Sequence, residues 1–315
     1  MNDLRELLSS RIGMERLNEE RSCEFHVQTT NGRRNAVFDL YNRRIKLYGL
    51  TPTDLDSPEV AAIVDGLGRA PDLYTKLTIY ALPSEDEDWI KRLFVREGAI
   101  LGYFPDHLHA DIWARYADDE RMDAPRDAEH DDIVVMAAQK ETQAPLLAEG
   151  YTSRLADEAD AFLLSDLLRV NFADYPAPLD AATLRTSIAE RRNLFRCVFT
   201  ADGEIVAAAS AELDHARSVA EMTDCVTDPD HRGRGLMAYI LWCLEKDIAE
   251  RFDITDVYTL ARADEPGMNC VFSKLGYQYT GRLVNNCRMP NGWESMNIWC
   301  LRAVEIARAS ANETS

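Results

Sequence analysis

No stretch of the 315 residues approaches 18 consecutive apolar side chains, so no membrane-spanning helix is expected. The N-terminal MNDLRELLSSRIG has no basic start followed by an apolar run, and it reads as soluble and unexported. Cysteine pairing is also missing. Cys23, Cys197, Cys225, Cys243, Cys270, Cys287 and Cys300 are odd in number, widely spaced and never in a Cys-x-x-Cys arrangement, which suits buried thiols in a reducing cytoplasm. Positive charge is scarce: 35 Lys and Arg stand against 54 Asp and Glu, a formal charge of −19. Such a surface repels nucleic acid and anionic membranes, although a local basic patch can still hold a phosphorylated cofactor. The six histidines (His26, His107, His109, His130, His215, His231) are dispersed, and His107-x-His109 has no nearby cysteine to complete a ligand set, so no metal is expected. What the chain does have is packing material. With 46% hydrophobic and 9% aromatic residues and only 12 prolines, it folds, and its length suits about two domains.

The hydrophobic pattern alternates between strand and helix periods. It predicts a hairpin turn at Asn31-Gly32, a strand around Ala36 to Tyr41, a helix within Ser57 to Leu67 and a strand at Lys76 to Ala81. A helix over Glu85 to Arg96 is expected from Trp89, Ile90, Leu93 and Phe94, then a strand from Asp111 to Tyr116. Residues 117–132 are highly charged without period and read as a solvated linker, after which IVVMAAQ restarts structure as a connecting strand. From Ala148 the pattern predicts strand Tyr151 to Leu155, helices Glu158 to Phe172 and Leu179 to Ile188, and strands Leu194 to Thr200 and Glu204 to Leu213 about an Asp202-Gly203 turn. Strand Ser218 to Thr227, helix Gly235 to Arg251, strand Val257 to Ala261, helix Gly267 to Leu275 and strands near Tyr277 to Leu283 and Met296 to Leu301 follow.

A weak repeat links the halves. LTIYALPSEDEDWIKRLFVREGAILGYF, reaching HADIWARY, parallels VYTLARADEPGMNCVFSKLGYQYTGRL, reaching SMNIWCL. Each runs strand, acidic turn, helix, strand, gap and a strand containing Ile-Trp, which points to a duplicated unit.

The most informative segment is VTDPDHRGRGLMAYILWCLEKDI. A strand ends in a proline-bearing turn, and Arg232-Gly233-Arg234-Gly235 opens a long amphipathic helix. The glycines allow close backbone approach, the first helical N–H groups can donate to an anion, and the two arginines add charge against phosphate. Neither the Walker spacing nor the three-glycine dinucleotide fingerprint is present. It reads as a cradle for a pyrophosphate, the alternative being an ordinary strand-to-helix turn with solvated arginines.

The strand, the His-Arg-Gly-Arg-Gly turn and the helix resemble the acetyl-CoA signature of the GNAT N-acetyltransferase superfamily, with VFSKLGYQYTG similar to its closing helix and strand. AAASAELD, AEMTDCVTDPDHRGRGLM, YTLARADEPGMNCVFSKLGY, GRLVNNC and MNIW more closely resemble the β-lysine N6-acetyltransferase family. Three positions depart from the superfamily pattern: Asp230 where Gln or Arg is usual, Phe272 where many members carry a tyrosine, and Glu265 at the usual Asn. The resemblance implies a mixed central α/β sheet flanked by helices, with a smaller, degenerate N-terminal copy that has no counterpart of the Arg-Gly-Arg-Gly turn. The expected domains are 1–117 for that copy, 118–147 for the linker and connecting strand, 148–303 for the catalytic domain and 304–315 for a polar tail.

It also implies transfer of acetyl from acetyl-CoA to the N6 amine of β-lysine, whose product is an osmolyte in some organisms. The alternatives are another small diamine or a protein amine as acceptor, or a non-catalytic acyl-CoA sensor. Amine attack needs a base, because a lysine-like amine titrates near 10.4. Glu221, on the strand before the loop, is the first candidate and Asp224 its alternative or partner; an odd separation puts them on opposite strand faces unless a bulge intervenes. Backbone N–H groups of Cys225, Val226 and Thr227 are expected to hold the acetyl carbonyl, and His231, Arg232, Gly233, Arg234, Gly235, Leu236 and Met237 the rest of acetyl-CoA, with Asn269 and Phe272 on the closing helix. Cys225 reads as structural, leaving direct attack. Tyr277 or Tyr279 is the expected acid for the departing thiolate. Arg262 or Arg282 would take the substrate carboxylate, Asp224, Asn285, Asn286 or Glu294 its amines, and Tyr175 with Pro176 would border the slot. The expected partner is thus a small-molecule diamine, with no nucleic acid or membrane, and a homodimer is compatible with this reading.

Overall fold

In a computed structural model, which describes residues 2–13, 21–172, 179–289 and 292–302, the Asn31-Gly32 turn joins β1 (Ser22–Thr29) to β2 (Gly32–Asp39) as an antiparallel hairpin. Helix α1 (Asn2–Ile12) precedes it, burying Leu4, Leu8 and Ile12 at helical spacing. Then come β3 (Arg44–Leu50), α2 (Pro58–Gly66), β4 (Lys76–Ala81), α3 (Asp86–Ile90), β5 (Val95–Phe104), β6 (Leu108–Tyr116), α4 (Asp119–Met122) and α5 (Asp127–Ala138). The second half holds β7 (Thr152–Leu155), α6 (Ala161–Asn171), α7 (Ala181–Ala189), β8 (Asn193–Phe199), β9 (Ile205–Asp214), β10 (Val219–Thr227), α8 (Leu236–Phe252), β11 (Asp256–Arg262), α9 (Pro266–Lys274), β12 (Gln278–Met289) and β13 (Gly292–Leu301). No helix of the described residues is long and apolar enough to cross a membrane.

Three expectations differ from what is observed. The helix expected over 85–96 stops after five residues, because Leu93 turns left-handed at φ 63°. Its four apolar residues then part ways: Trp89 and Phe94 pack in the core, with Trp89 stacked 5.8 Å from Trp113, while Ile90 and Leu93 face solvent. The charged segment taken as linker forms α4, capped by Asp118 on the Arg121 N–H at 2.8 Å, and most of the expected connecting strand is the C-terminal half of α5. There Ala137 is buried and its carbonyl accepts both the Lys140 N–H at 3.0 Å, in the turn that ends the helix, and the Ser273 hydroxyl at 2.7 Å.

The chain divides into two compact units, Met1–Ile100 with Leu108–Asp127 and Gly281–Met296, and Leu101–His107 with Ala128–Thr280 and Asn297–Ser315. Residues 281–296 thus group with the first unit and not with the rest of 148–303, because their backbone finds polar partners there. The Val284 N–H donates to Glu97 Oε1 at 2.7 Å and the Asn286 carbonyl accepts Arg44 Nη1 at 3.0 Å. The expected tail, 304–315, lies outside the described residues.

Strand order repeats between the halves: β1-β2-β3-β4-β6-β5 in one, β8-β9-β10-β11-β13-β12 in the other, with β7 added beside β8. In both, the first three strands meander antiparallel, a helix follows, and the fourth strand pairs parallel with the third. The sequence repeat therefore extends over six strands each. One difference matters for function. β3 and β4 stay paired from Arg44↔Lys76 to Leu50↔Ala81, whereas β10 and β11 pair only from Val219↔Asp256 to Glu221↔Tyr258 and then part.

In the first unit the core gathers α1, α2 and one sheet face around Phe25, Phe38, Trp89 and Trp113. In the second, α8 lays Leu236, Ile240, Leu241, Leu244 and Ile248 on the sheet. Ala207, Ala209 and Ala211 of β9, all buried on that face, let the helix lie close. Each buried aliphatic side chain contributes roughly 1.5–3 kcal/mol.

Gly281 on β12 sits opposite Gly98 of β5 at φ 150°, where an added Cβ would lie 2.3 Å from the Glu97 carbonyl oxygen and 2.4 Å from Gly98 Cα. Both obstacles are backbone and cannot rotate away. Gly281→Ala is expected to cost about 2–3 kcal/mol of stability; an unchanged melting temperature would show that the strands separate there freely.

Candidate functional site

Strand β10 is regular through Thr223 and then bulges: its register against β9 shifts between Thr223 and Val226, and Asp224 takes φ 50°. Ser210 Oγ on β9 donates to Asp224 Oδ2 at 2.7 Å and fixes the bulge. The odd separation of Glu221 and Asp224 therefore does not set them on opposite faces, because a bulge re-aims the side chains after it. Since β11 has parted by this point, residues 222–227 have no β11 ladder partner. Their edge is open to a ligand backbone.

Glu221 lies at the last β10–β11 pair, and Tyr258, its register partner, donates its hydroxyl to Glu221 Oε2 at 2.9 Å. This holds the carboxylate at the mouth of the gap between the strands. Cys225 is half-buried, with its thiol on the Thr223 carbonyl at 3.6 Å. Burial pushes that thiol up, and neighbouring Asp224 pushes it further, so it does not supply a thiolate nucleophile.

Past β10, Asp228 caps a short turn by accepting the Asp230 N–H at 2.9 Å. Gly233 and Gly235 have φ 76° and 74°, and nothing lies within 4 Å of a Cβ on either. The glycines serve the left-handed backbone, not a steric gap. Helix α8 starts directly after, leaving its first N–H groups with no intrahelical acceptor. The arginines are held in place by protein oxygens. Arg232 Nε donates to the Thr227 carbonyl at 3.1 Å; Arg234 donates to the Tyr151 hydroxyl at 2.8 Å and the Asp230 carbonyl at 3.1 Å. Tyr151 also meets His231 Nδ1 at 2.7 Å. Leu236 and Met237 bury their side chains in the core and offer only backbone N–H groups. Exposed guanidinium groups around orphan helix N–H groups fit a pyrophosphate such as that of CoA. Arg234→Ala is expected to raise KM for acetyl-CoA about 5–20-fold with kcat little changed; unchanged KM would remove this arginine from the cradle.

The other expected residues are placed elsewhere. Asn269 is fully buried and fully used: its Nδ2 donates to the carbonyls of Arg262 and Glu265, and its Oδ1 accepts Asn297 Nδ2 at 2.9 Å and Trp299 Nε1 at 2.8 Å. No capacity is left for a cofactor. Phe272 packs in the core, edge-on to Tyr277 at 5.1 Å. Tyr277 is buried too, its hydroxyl on Glu245 Oε1 at 2.8 Å, so it does not reach a departing thiolate; Tyr279, on β12, is the exposed member of the pair. Arg262 faces Asp264 and Glu265 at 3.5 and 3.3 Å, a solvated strand end. Arg282, Asn285, Asn286 and Glu294 belong to the first unit. There Arg282 pairs with Asp127, Asn285 donates to the carbonyls of Arg121 and Asp123, and Asn286 Nδ2 meets Cys287 Sγ at 3.7 Å. Tyr175 and Pro176 lie outside the described residues.

Sequence reasoning missed Tyr258, Tyr151 and Ser210, each an ordinary strand or strand-edge residue whose role comes from register with a distant segment. Glu245 carried a signal that was passed over: a carboxylate on the apolar stripe of a helix. Burial pushes it up to about 8, against the lowering effect of its Tyr277 hydrogen bond. Among the described residues no group of His, Cys, Asp and Glu could hold a metal ion.

Residues 162–277 match the acetyltransferase (GNAT) family. A β-lysine N6-acetyltransferase of Methanosarcina mazei is 45% identical over 163 residues, 51% of this chain and 59% of that protein. The N-acetyltransferase YodP of Bacillus subtilis is 35% identical over 230 residues, 71% of this chain and 81% of that protein. A Methanococcus maripaludis β-lysine N6-acetyltransferase is 35% identical over 153 residues, covering 48% of this chain and 54% of its own. The chain thus spans little more than half of the two archaeal proteins and most of the Bacillus one. It belongs to the GNAT acetyltransferase family.

Proposed function

We propose that this protein transfers the acetyl group of acetyl-CoA to the N6 amine of β-lysine by direct attack. The observation that carries the chemistry is the gap opened where β10 and β11 part, with Glu221 at its mouth, the Asp224 bulge along it and the Arg232-to-Gly235 turn at its end. The 45% identity to a β-lysine N6-acetyltransferase favours this acceptor.

Acetyl-CoA brings an activated thioester, with its pyrophosphate on the turn and the first N–H groups of α8. The open edge of β10 supplies N–H donors at Cys225 to Thr227 for the acetyl carbonyl and for the oxyanion formed on attack. Glu221 takes the proton from the N6 ammonium, and the nitrogen lone pair forms the new C–N bond. Collapse breaks the C–S bond and releases CoA thiolate, which takes the second proton from the former amine nitrogen, so the neutral N6-acetyl amide and CoA thiol leave and the first proton passes from Glu221 to solvent. Glu221 and Asp224 together present negative charge to a cationic amine. The odd number and wide spacing of the seven cysteines suit a reducing cytoplasm.

The test is catalytic efficiency with β-lysine against lysine, spermidine and a lysine-bearing peptide. β-Lysine is expected to exceed each by about tenfold or more; a polyamine or peptide preferred over it would overturn the acceptor assignment while keeping acetyl transfer.

A further inference from the structure

Strand β5 comes from the N-terminal half of the chain, yet its end does not stay with that half. Residues through Ile100 group with the first unit, whereas Leu101–His107 group with the second, which carries the acetyl-transfer site. Printed along β11 and β13, the contacts of this short segment are specific. The Leu101 N–H donates to Cys300 Sγ on β13 at 3.5 Å. Gly102 lies so near β11 that an added Cβ would collide with the Asp256 carboxylate, and His107 Nδ1 is hydrogen-bonded to Oδ2 of the same aspartate. Between these two anchors, Tyr103 sets its ring edge-on to Tyr258, with centroids 5.8 Å apart and planes at 71°. Asp256 and Tyr258 are two residues apart on β11 and so share a sheet face, which the segment follows. Arg217, in the β9–β10 turn and paired there with Asp214, brings its guanidinium carbon 5.2 Å from the centre of the Tyr103 ring.

The neighbour that Tyr103 touches has a task at the site. Tyr258 is the register partner of Glu221, and its hydroxyl donates to Glu221 Oε2 at 2.9 Å. A phenol ring turns about two side-chain torsions, and a change of rotamer carries its hydroxyl well beyond hydrogen-bond reach. Packing against the ring is what prevents this. An edge-on aromatic contact is the arrangement that ring quadrupoles favour, and Tyr103 is itself buried and pinned on both sides through Gly102 and His107.

We propose that Tyr103 is a positioning residue for acetyl transfer: by bracing the Tyr258 ring it keeps the Tyr258 hydroxyl on Glu221 and the carboxylate at the mouth of the β10–β11 gap. The N-terminal half thereby contributes to the reaction through residues 101–107. This role rests on Glu221 being the base and is the same whichever amine is the acceptor. A side chain that only filled space at 103 would be replaceable by an aliphatic one; a brace for Tyr258 needs the ring.

The test is steady-state kinetics of the full chain, with the amine that the wild type acetylates best. Tyr103→Leu is expected to lower kcat about 5–20-fold with KM for acetyl-CoA within about twofold, whereas Tyr103→Phe, which keeps the ring, should hold kcat within about twofold of the wild type. Tyr258→Phe, which removes the hydroxyl and leaves the ring that Tyr103 packs on, should lower kcat by a similar factor of about 5–20. In the Glu221→Gln background Tyr103→Leu should change kcat by less than about twofold, because no base is left to position. Unchanged kcat in Tyr103→Leu overturns the proposal, and so does an equal loss in Tyr103→Phe or a full further loss on top of Glu221→Gln. Should Tyr103→Leu fail to fold, Tyr258→Phe decides: the loss supports the brace, and full activity overturns it. Unchanged kcat in Glu221→Gln overturns the base assignment and this role with it. The expected losses measured on a polyamine preferred to β-lysine would support the brace while overturning only the acceptor.

Discussion

Glu221→Gln should lower kcat by about 10²–10⁴-fold at neutral pH while leaving acetyl-CoA affinity within about twofold. The two effects separate because Glu221 lies at the β10–β11 parting, whereas the cofactor cradle is built further along the chain from Arg232 to Gly235 and the start of α8. Gln keeps the shape and the acceptor oxygen for the Tyr258 hydroxyl, so the loss reports the missing base and not a displaced strand. An unchanged kcat, measured by CoA release under saturating substrates, would remove Glu221 from the reaction and shift the role to Asp224.

The second large effect concerns stability. Glu245 sits on the buried stripe of α8, and burial raises its carboxyl from 4.5 to about 8. In the unfolded chain it ionises near 4.5, so folding above that pH must take up a proton. The stabilisation is complete below about pH 4.5, is lost progressively as pH rises towards 8, and changes no further above it. Over that window the loss is on the order of 5 kcal/mol. Glu245→Gln, which keeps an acceptor for Tyr277, should therefore leave stability at pH 5 near that of the wild type and raise it by several degrees of melting temperature at pH 8. A variant equally destabilised at both pH values would show that the carboxyl is ionised and paired in the fold.

Much of this architecture is readable from local pattern. The Asn31-Gly32 and Asp202-Gly203 turns, the β4 run and the stripe of α8 each follow from short-range chemistry that tertiary packing reinforces. The failures have physical causes. The Trp89 segment has helical spacing, yet Phe94 has to reach the core beside Trp89 at the start of a strand, and a left-handed Leu93 achieves that at the expense of the helix. IVVMAA looks like a strand because apolar runs carry no period of their own, and the helix is decided by the acidic turn before it and by Ser273 at its end. At the site, Glu221 and the Arg-Gly-Arg-Gly turn were legible because they are contiguous. Tyr258, Ser210 and the β10–β11 parting were not, since they depend on register between segments tens of residues apart.

The first unit differs from the second at both features that form the proposed acetyl-CoA site. Its β3 and β4 remain zipped along their length, and the connection that would correspond to the Arg-Gly-Arg-Gly turn reads Thr51-Pro52-Thr53-Asp54-Leu55-Asp56. Asp54 there is buried and accepts from Thr51 and Asn31. An acidic turn beside a closed strand pair repels phosphate and leaves no gap for a thioester.

The most direct measurement is mass spectrometry of the product formed from purified protein, acetyl-CoA and β-lysine, with the acetylated nitrogen located by fragmentation. The account predicts one acetyl group, on N6, with one CoA released for each. Acetylation on the β-amine, or CoA release without an acetylated product, would contradict it.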